Sequence, residues 1–200
     1  MKTFKTGKIM EEYGYVLDIL YEKRKIRIHG EEQIITGPIG QIVGEENFIL
    51  MEFQLRKDAV IEELERIYIG KGEKYKARRF VRYITYNDLS YKARENLVKA
   101  VELIVRLNED RWVEFFNRAG PISPRTHALE LLSLIGKKTV LRIIEERERE
   151  PFKNFSDIKS RIKIDPVKVL VDRIVSEIKG EEKHYLFARK LSYLDRERFT

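Results

Sequence analysis

The 200-residue chain contains no cysteine. Disulfide bridges, thiolate zinc sites and cysteine nucleophiles are thereby excluded, and a reducing, cytoplasmic setting is the expectation. Long apolar runs are lacking too. The N-terminal MKTFKTGKIMEEYGYVLDIL holds no stretch that reads as a signal core, and nothing later approaches the roughly 20 apolar residues of a membrane span. Membrane insertion is not expected. Histidine occurs only at His29, His127 and His184, without metal-ligand spacing. No constellation of side chains supports an enzyme, and no cofactor is expected.

What remains is a charged, foldable chain. Apolar residues make up 42% and charged residues 36% of the sequence, which suits a folded protein with a heavily ionised surface. The net charge of +7 is unevenly placed. Residues 71–82, KGEKYKARRFVR, carry six basic groups against one acid. A local basic patch on a nearly neutral body points to a polyanionic partner. A strand edge protected by charge explains the same residues equally well.

Residues 13–86 alternate short β-branched and aromatic runs with turn signals, the pattern of strands. The runs are Tyr13–Tyr21, Gln33–Thr36, Gln41–Val43, Asn47–Leu55, Arg66–Ile69 and Phe80–Tyr86. Breaks fall at Gly30, Gly37-Pro38, Gly44-Glu-Glu and Gly70-Lys-Gly72. Five or six short strands without long helices between them predict a small closed barrel of the oligonucleotide-binding (OB) type.

After Asp88 and Ser90, either of which can cap a helix, the period becomes helical. Ala93, Leu97, Ala100, Val101 and Ile104 share one face; Trp112, Phe115 and Phe116 continue the apolar stripe after a break near Asn108, as core rather than as a base-stacking platform. Gly120-Pro121 stops the chain. Ser123-Pro124 and Asp165-Pro166 each set a capping oxygen before a proline that fits the first helical turn. Four short helices are expected between and after them, lined in turn by Ala128/Leu131/Leu132/Ile135, Val140/Ile143/Ile144, Phe155/Ile158/Ile162 and Val167/Leu170/Val171/Ile174/Ile178. The expected class is α+β: a barrel over residues 1–87, connecting helices over 88–120, paired helical hairpins over 121–180 and a tail over 181–200.

The stretch SLIGKKTVLRIIEER places a glycine and two lysines where one apolar helix yields to the next. A helix starting near Gly136 leaves the amides of Lys137, Lys138 and Thr139 without intrahelical acceptors, and its dipole adds partial positive charge there. No capping side chain directly precedes it, so an outside phosphate is a fitting acceptor. Lys163-Ile164-Asp165, the second hairpin, ends in an acid that would cap its own helix and repel phosphate. It is expected to be structural, with Lys159, Arg161, Lys163 and Lys168 as flanking charge. A phosphate-binding loop of nucleotide hydrolases is excluded, because glycine is absent at Leu131 and Ser or Thr at Lys138. Glu145-Glu-Arg-Glu-Arg-Glu150 alternates sign and reads as a solvated face.

From Leu131 through Arg147, followed by Pro151-Phe152 and Phe155-Ser-Asp-Ile158, the chain resembles the tandem helix-hairpin-helix domain of DNA-repair proteins and bacterial competence DNA receptors. That family's turn reads L-P-G-I-G-x-x-x-A. Here Leu132 to Gly136 occupy its first five positions, with Ile135 and Gly136 retained; Ser133 replaces the proline, Leu134 the first glycine, and Val140 the alanine. More widely, Tyr13-Gly-Tyr-Val-Leu-Asp, Gln41-Ile-Val-Gly-Glu-Glu, Arg66-Ile-Tyr-Ile-Gly-Lys-Gly, Phe115-Phe-Asn and Ile122-Ser-Pro-Arg-Thr-His-Ala-Leu resemble an archaeal family of uncharacterised proteins. That resemblance implies RNA binding and a barrel followed by a helix-hairpin-helix part.

Together these readings give a non-enzymatic nucleic-acid-binding protein, with RNA favoured over DNA. Ile135, Gly136, Lys137, Lys138 and Thr139 form one candidate anchor. Lys71, Lys74, Tyr75, Lys76, Arg78 and Arg79 form the other, with Tyr75 as an exposed ring for stacking and Phe80 expected to be buried. The alternative is an adaptor that docks on a ribosomal or transcriptional protein, favoured by the loss of glycine at Leu134.

Overall fold

Seven strands precede the first α-helix in the computed structural model, which describes residues 11–21, 23–28 and 31–191. The strands are β1 (Tyr13–Leu20), β2 (Arg24–Ile28), β3 (Glu31–Ile35), β4 (Ile39–Gly44), β5 (Leu50–Leu55), β6 (Arg66–Tyr68) and β7 (Ala77–Tyr83). Every expected run overlaps a strand, while β2 has no counterpart among them. The break expected at Gly30 lies outside the described residues.

Five strands form a curled antiparallel half-barrel sheet in the order β6-β1-β4-β5-β7. Among the described residues β6 and β7 share no ladder, and β2 pairs only with β3. β1 carries a bulge between Val16 and Asp18 that raises its twist. The core of the sheet joins Val16, Ile42, Met51, Phe53 and Leu55. Gly14 is required where β1 crosses β4: a Cβ there would lie 2.5 Å from Cγ2 of Ile42 and 2.9 Å from the Val43 carbonyl. β4 and β5 are buried along their whole length, so their alternate polar residues must find partners inside. They do: the Gln41 amide donates to Glu52 at 3.1 Å and to the Asp88 carbonyl at 3.0 Å, and its oxygen accepts from the Ser90 amide at 2.8 Å. Arg82 closes on the buried Glu52 at 2.9 Å.

β7 begins three residues before the expected Phe80 and ends at Tyr83, because Thr85 and Asp88 form a capping box that starts a one-turn 3-10 helix, Tyr86–Asp88. Ser90 then caps α1 (Tyr91–Leu107), its Oγ accepting from the Ala93 amide at 3.0 Å. The expected face of Ala93, Leu97, Ala100, Val101 and Ile104 is fully buried. α2 (Glu109–Arg118) follows the break at Asn108 and buries Trp112 and Phe116; Phe187 packs edge-on against Trp112 and Phe115.

The helix expected from Ser123-Pro124 does not form. The Ser123 Oγ instead accepts from the Arg125 amide at 3.3 Å, and proline serves a tight turn as well as a helix start. The turn joins β8 (Pro121–Ser123) to β9 (Thr126–His127), and only a one-turn 3-10 helix, Ala128–Leu131, follows. Leu129, Leu132 and Ile135 are buried at a spacing of three, the period of that tighter geometry, which the apolar pattern also satisfies. The remaining helices are α3 (Lys137–Arg149), α4 (Phe155–Ile162) and α5 (Pro166–Lys179). Their expected apolar positions Val140, Ile143, Ile158, Ile162, Val167, Leu170 and Ile174 are buried.

The chain divides into two compact units, one running to Asn96 and including residues 189–191, the other Leu97–Ala188; the division falls within α1. In the second unit part of the expected tail is fastened. The buried Glu177 carboxylate accepts from the amides of Leu186, Phe187 and Ala188 at 2.8–2.9 Å and from Arg173 Nε at 2.8 Å. Among the described residues no helix is long and apolar enough to cross a membrane.

Candidate nucleic-acid interface

Just before α3 the Leu132 carbonyl accepts from the Ile135 amide at 3.2 Å, closing a tight turn. Within that turn Leu134 adopts φ +64°, the left-handed region. A branched side chain tolerates this conformation poorly, at a cost of roughly 1–2 kcal/mol. Its side chain is 76% exposed, so no packing offsets the cost. The position is the one where the helix-hairpin-helix pattern has its first glycine. Leucine thus stands where glycine would suit the backbone better.

Gly136 is the N-cap of α3, with extended backbone and no side-chain cap. A Cβ built there would meet nothing within 4 Å, so the approach to the following amides is open. The first intrahelical bond goes from Val140 to the Gly136 carbonyl at 3.0 Å. The amides of Lys137, Lys138 and Thr139 therefore have no acceptor among the described residues. Lys137 and Lys138 are exposed and form no ion pair among the described residues, while Thr139 is half-buried and Ile135 is buried as the turn's apolar anchor.

The second turn repeats the design with the opposite chemistry. Lys163 adopts φ +67°, Ile164 follows, and Asp165 is the N-cap of α5. Leu134-Ile135-Gly136 and Lys163-Ile164-Asp165 thus match position by position. Asp165 accepts from the Lys168 amide at 3.2 Å and pairs with Lys159 at 3.1 Å. The Lys168 amide first, and then the Lys159 ammonium against partial burial, hold its carboxyl below the ordinary value, so it stays charged. Pro166 supplies no N–H at the first position. The end that carries free donors in the first turn is filled in the second.

The flanking cations separate into two kinds. Arg161 binds Glu146 and Asp157, caps the carbonyls of Glu146 and Glu150, and lies 4.5 Å over the Phe152 ring. It is a strut between α3 and α4, so its expected role as flanking charge is replaced by a structural one. Lys159 is drawn to Asp165. Lys163 and Lys168 are exposed and unpaired among the described residues.

The basic segment lies in the first unit, on the loop after β6 and on β7. Lys71 and Tyr75 are exposed, Tyr75 to 81%, and Lys74 is half-buried. Lys76 is withdrawn by an ion pair with Glu65. Arg78 and Arg79 are both exposed although adjacent on a strand, because β7 pairs Gln54 with Arg79 and Leu55 with Ala77, leaving Arg78 as the extra residue of a bulge. β7 is an edge of the sheet, so these two arginines also oppose edge-to-edge pairing. Phe80 is half-buried against Phe53 and Tyr83. One cation stands outside the expected set: Arg56 donates through Nε to the Lys74 carbonyl at 3.1 Å and through its amide to the Lys76 carbonyl at 2.9 Å... a tether visible in the sequence only as the Arg-Lys pair that follows β5.

His127 Nδ1 accepts from the Leu129 amide at 3.1 Å; burial, followed by the nearby Arg147, holds its imidazole below the ordinary value and so neutral, as an acceptor must be. His29 lies outside the described residues. No cluster of His, Asp and Glu fit for a metal ion occurs among the described residues.

The family model of DUF655, described as a protein of unknown function, matches residues 10–189. The uncharacterized protein MJ0038 of Methanocaldococcus jannaschii is 40% identical over 181 residues, which cover 90% of this chain and 80% of that protein. A crystal structure of Af1531 from Archaeoglobus fulgidus, ascribed to the same family, is similar with a TM-score of 0.78 at 40% identity, covering 90% of this chain and all of the other. A family model spanning most of the chain, and relatives alike over nine-tenths of it, lead to one conclusion: the chain belongs to the DUF655 family.

Proposed function

We propose that this protein binds nucleic acid without catalysing a reaction, gripping phosphates at the Gly136 turn and along the basic segment that follows β6. The observation that carries the reading is the contrast between two matched turns: Asp165 fills its own helix end, while Gly136 leaves three amides and two lysines open to an outside anion. Helix donors and lysines hold phosphate without reading sequence. The reading takes the curled sheet as OB-like and the two turns as a tandem helix-hairpin-helix, and it favours RNA because the family resemblance does.

Fluorescence anisotropy with single- and double-stranded RNA and DNA across a salt series tests it. Affinity should fall with salt by roughly 0.9 log units per log unit for each duplex phosphate contacted, or about 0.7 for single strands. Exchanging Lys137 and Lys138 for Glu should remove most binding, because both side chains are exposed and unneeded for the fold. Unchanged affinity in that variant rules out the turn. The adaptor reading draws on a different observation: Leu134 and Leu141 expose 76% and 61% of their surface on the same unit. A protein partner retained after nuclease treatment and insensitive to salt would favour it.

A further inference from the structure

The first unit contains a cleft of about 280 Å³ at the end of β1. Ile19 and Ile61 line it and also pack, half-buried, against the core of the sheet. One wall is the Gly37-Pro38 turn. It is held in place by the Gln54 amide on the Thr36 carbonyl at 3.1 Å and by the Leu55 amide on the Pro38 carbonyl at 2.8 Å. Gly37 has φ +121°, a conformation that residues with side chains rarely adopt, so a larger residue in this wall would be strained. Tyr21 stands at the mouth with 80% of its surface in water.

Two cations complete the lining, Arg56 and Lys57, and among the described residues no acid lines the cleft. Both are exposed and neither has an ion-pair partner among the described residues. The same Arg56 ties the cleft to the basic loop, through its bond to the Lys74 carbonyl. Lys74 is followed directly by Tyr75, the second exposed ring. An apolar floor, an exposed ring at the rim and unpaired cations leading to a second ring make a combination suited to one ligand class. Exposed aromatic rings stack on any base, and cations follow the backbone between bases. The volume lies just below the roughly 300–1,000 Å³ of sites for drug-sized molecules, which limits the guest to a single ring system. A double helix keeps its bases stacked inside and cannot offer one.

We propose that this cleft receives one unpaired base of a single-stranded nucleic acid, stacked on Tyr21, with its phosphates on Arg56 and Lys57 and the strand continuing toward Lys74 and Tyr75. The proposal deepens the nucleic-acid reading and rests on it, but it does not depend on the Gly136 turn. Single-strand preference is then a property of the sheet unit, and strand-indifferent phosphate binding a property of the turn.

The test compares the full chain with Tyr21→Ala, Tyr21→Phe, Lys57→Glu and the double variant Lys137→Glu/Lys138→Glu. Each is titrated into a labelled twelve-nucleotide oligouridylate and a labelled RNA duplex. Losing a stacked base at Tyr21→Ala should weaken oligouridylate binding about tenfold. The duplex should be bound within about twofold of the parent, and Tyr21→Phe, which keeps the ring, should match the parent on both probes. Lys57→Glu should weaken the oligouridylate and flatten its salt dependence. Parental affinity of Tyr21→Ala for oligouridylate overturns the cleft, even where the Lys137/Lys138 variant has lost binding and so upholds the turn. Loss at Tyr21→Ala with full binding by the Lys137/Lys138 variant upholds the cleft and overturns the turn. A parent that binds neither probe overturns both.

Discussion

Gly136 and Asp165 hold the same place in two turns of one design, each the N-cap residue two positions after a residue in left-handed conformation, yet only Asp165 caps its helix with a side chain. Exchanging their chemistry separates binding from stability. Gly136→Asp should give α3 its own cap, and a Cβ at this position meets nothing within 4 Å. Because glycine is itself a fair N-cap, the gain should be only a few tenths of a kcal/mol. Phosphate binding should nevertheless be lost, since the new carboxylate occupies the free amides and repels an anion. Anisotropy and thermal unfolding on the same sample check this. Retained affinity in a normally folded variant would sink the anion site.

Leu134 supplies a second prediction. Its φ of +64° is strained for leucine, and its side chain is mostly in water. Leu134→Gly should relieve about 1 kcal/mol. For a chain of this length that corresponds to a rise in Tm of roughly 2–4 °C. A fall in Tm would show that the exposed leucine contributes contacts that outweigh the strain.

These residues also mark how far the sequence could be read. The strand runs were legible because each has turn signals beside it, and the α1 face because burial at Ala93, Leu97, Ala100, Val101 and Ile104 obeys the helical period. The uncapped state of Gly136 and the capped state of Asp165 follow from side-chain chemistry alone. The segment 121–131 differs from its expected helix because Ser-Pro suits a turn and a helix start equally, and spacing of three and four cannot separate a 3-10 turn from an α-helix over so few residues. β2 carries little strand signal, because Arg24–Ile28 is rich in cations that do not mark strands. Neither the strut role of Arg161 nor the tether from Arg56 to the basic loop is legible in the sequence, since each depends on contacts 11 to 20 residues away in the chain.

Acid should weaken the second turn before it weakens the first. The Asp165 carboxyl is held below its ordinary pKa, chiefly by the Lys168 amide. A depressed folded-state pKa means that the unfolded chain takes up the proton first, so the contribution of Asp165 is complete above the unfolded value near 3.8 and fades as pH falls through the lower folded value. Asp165→Asn keeps a capping oxygen but cannot titrate. Stability of the parent measured by urea unfolding between pH 5 and about 2 should therefore fall more steeply than that of the variant. Parallel curves would mean that Asp165 titrates alike in both states.

Glu177 should be the side chain on which the end of the second unit depends. It is 1% exposed, takes three backbone amides from Leu186 to Ala188, and faces the equally buried Arg173. Removing one member of a buried ion pair leaves the other charged in a poor solvent, at a cost of roughly 3–5 kcal/mol. Arg173 retains Glu182 at 2.7 Å, so Glu177→Ala should fall at the lower end, about 3 kcal/mol. Glu177→Gln keeps an acceptor for the amides but not the charge, and should cost less. Hydrogen exchange gives the local readout. The amides of Leu186, Phe187 and Ala188 should lose protection in Glu177→Ala well before the amides of α5, because their only acceptors among the described residues are the Glu177 oxygens. Unaltered exchange at these three positions would show that the packing of Phe187 on Trp112 and Phe115, and not the carboxylate, holds the segment.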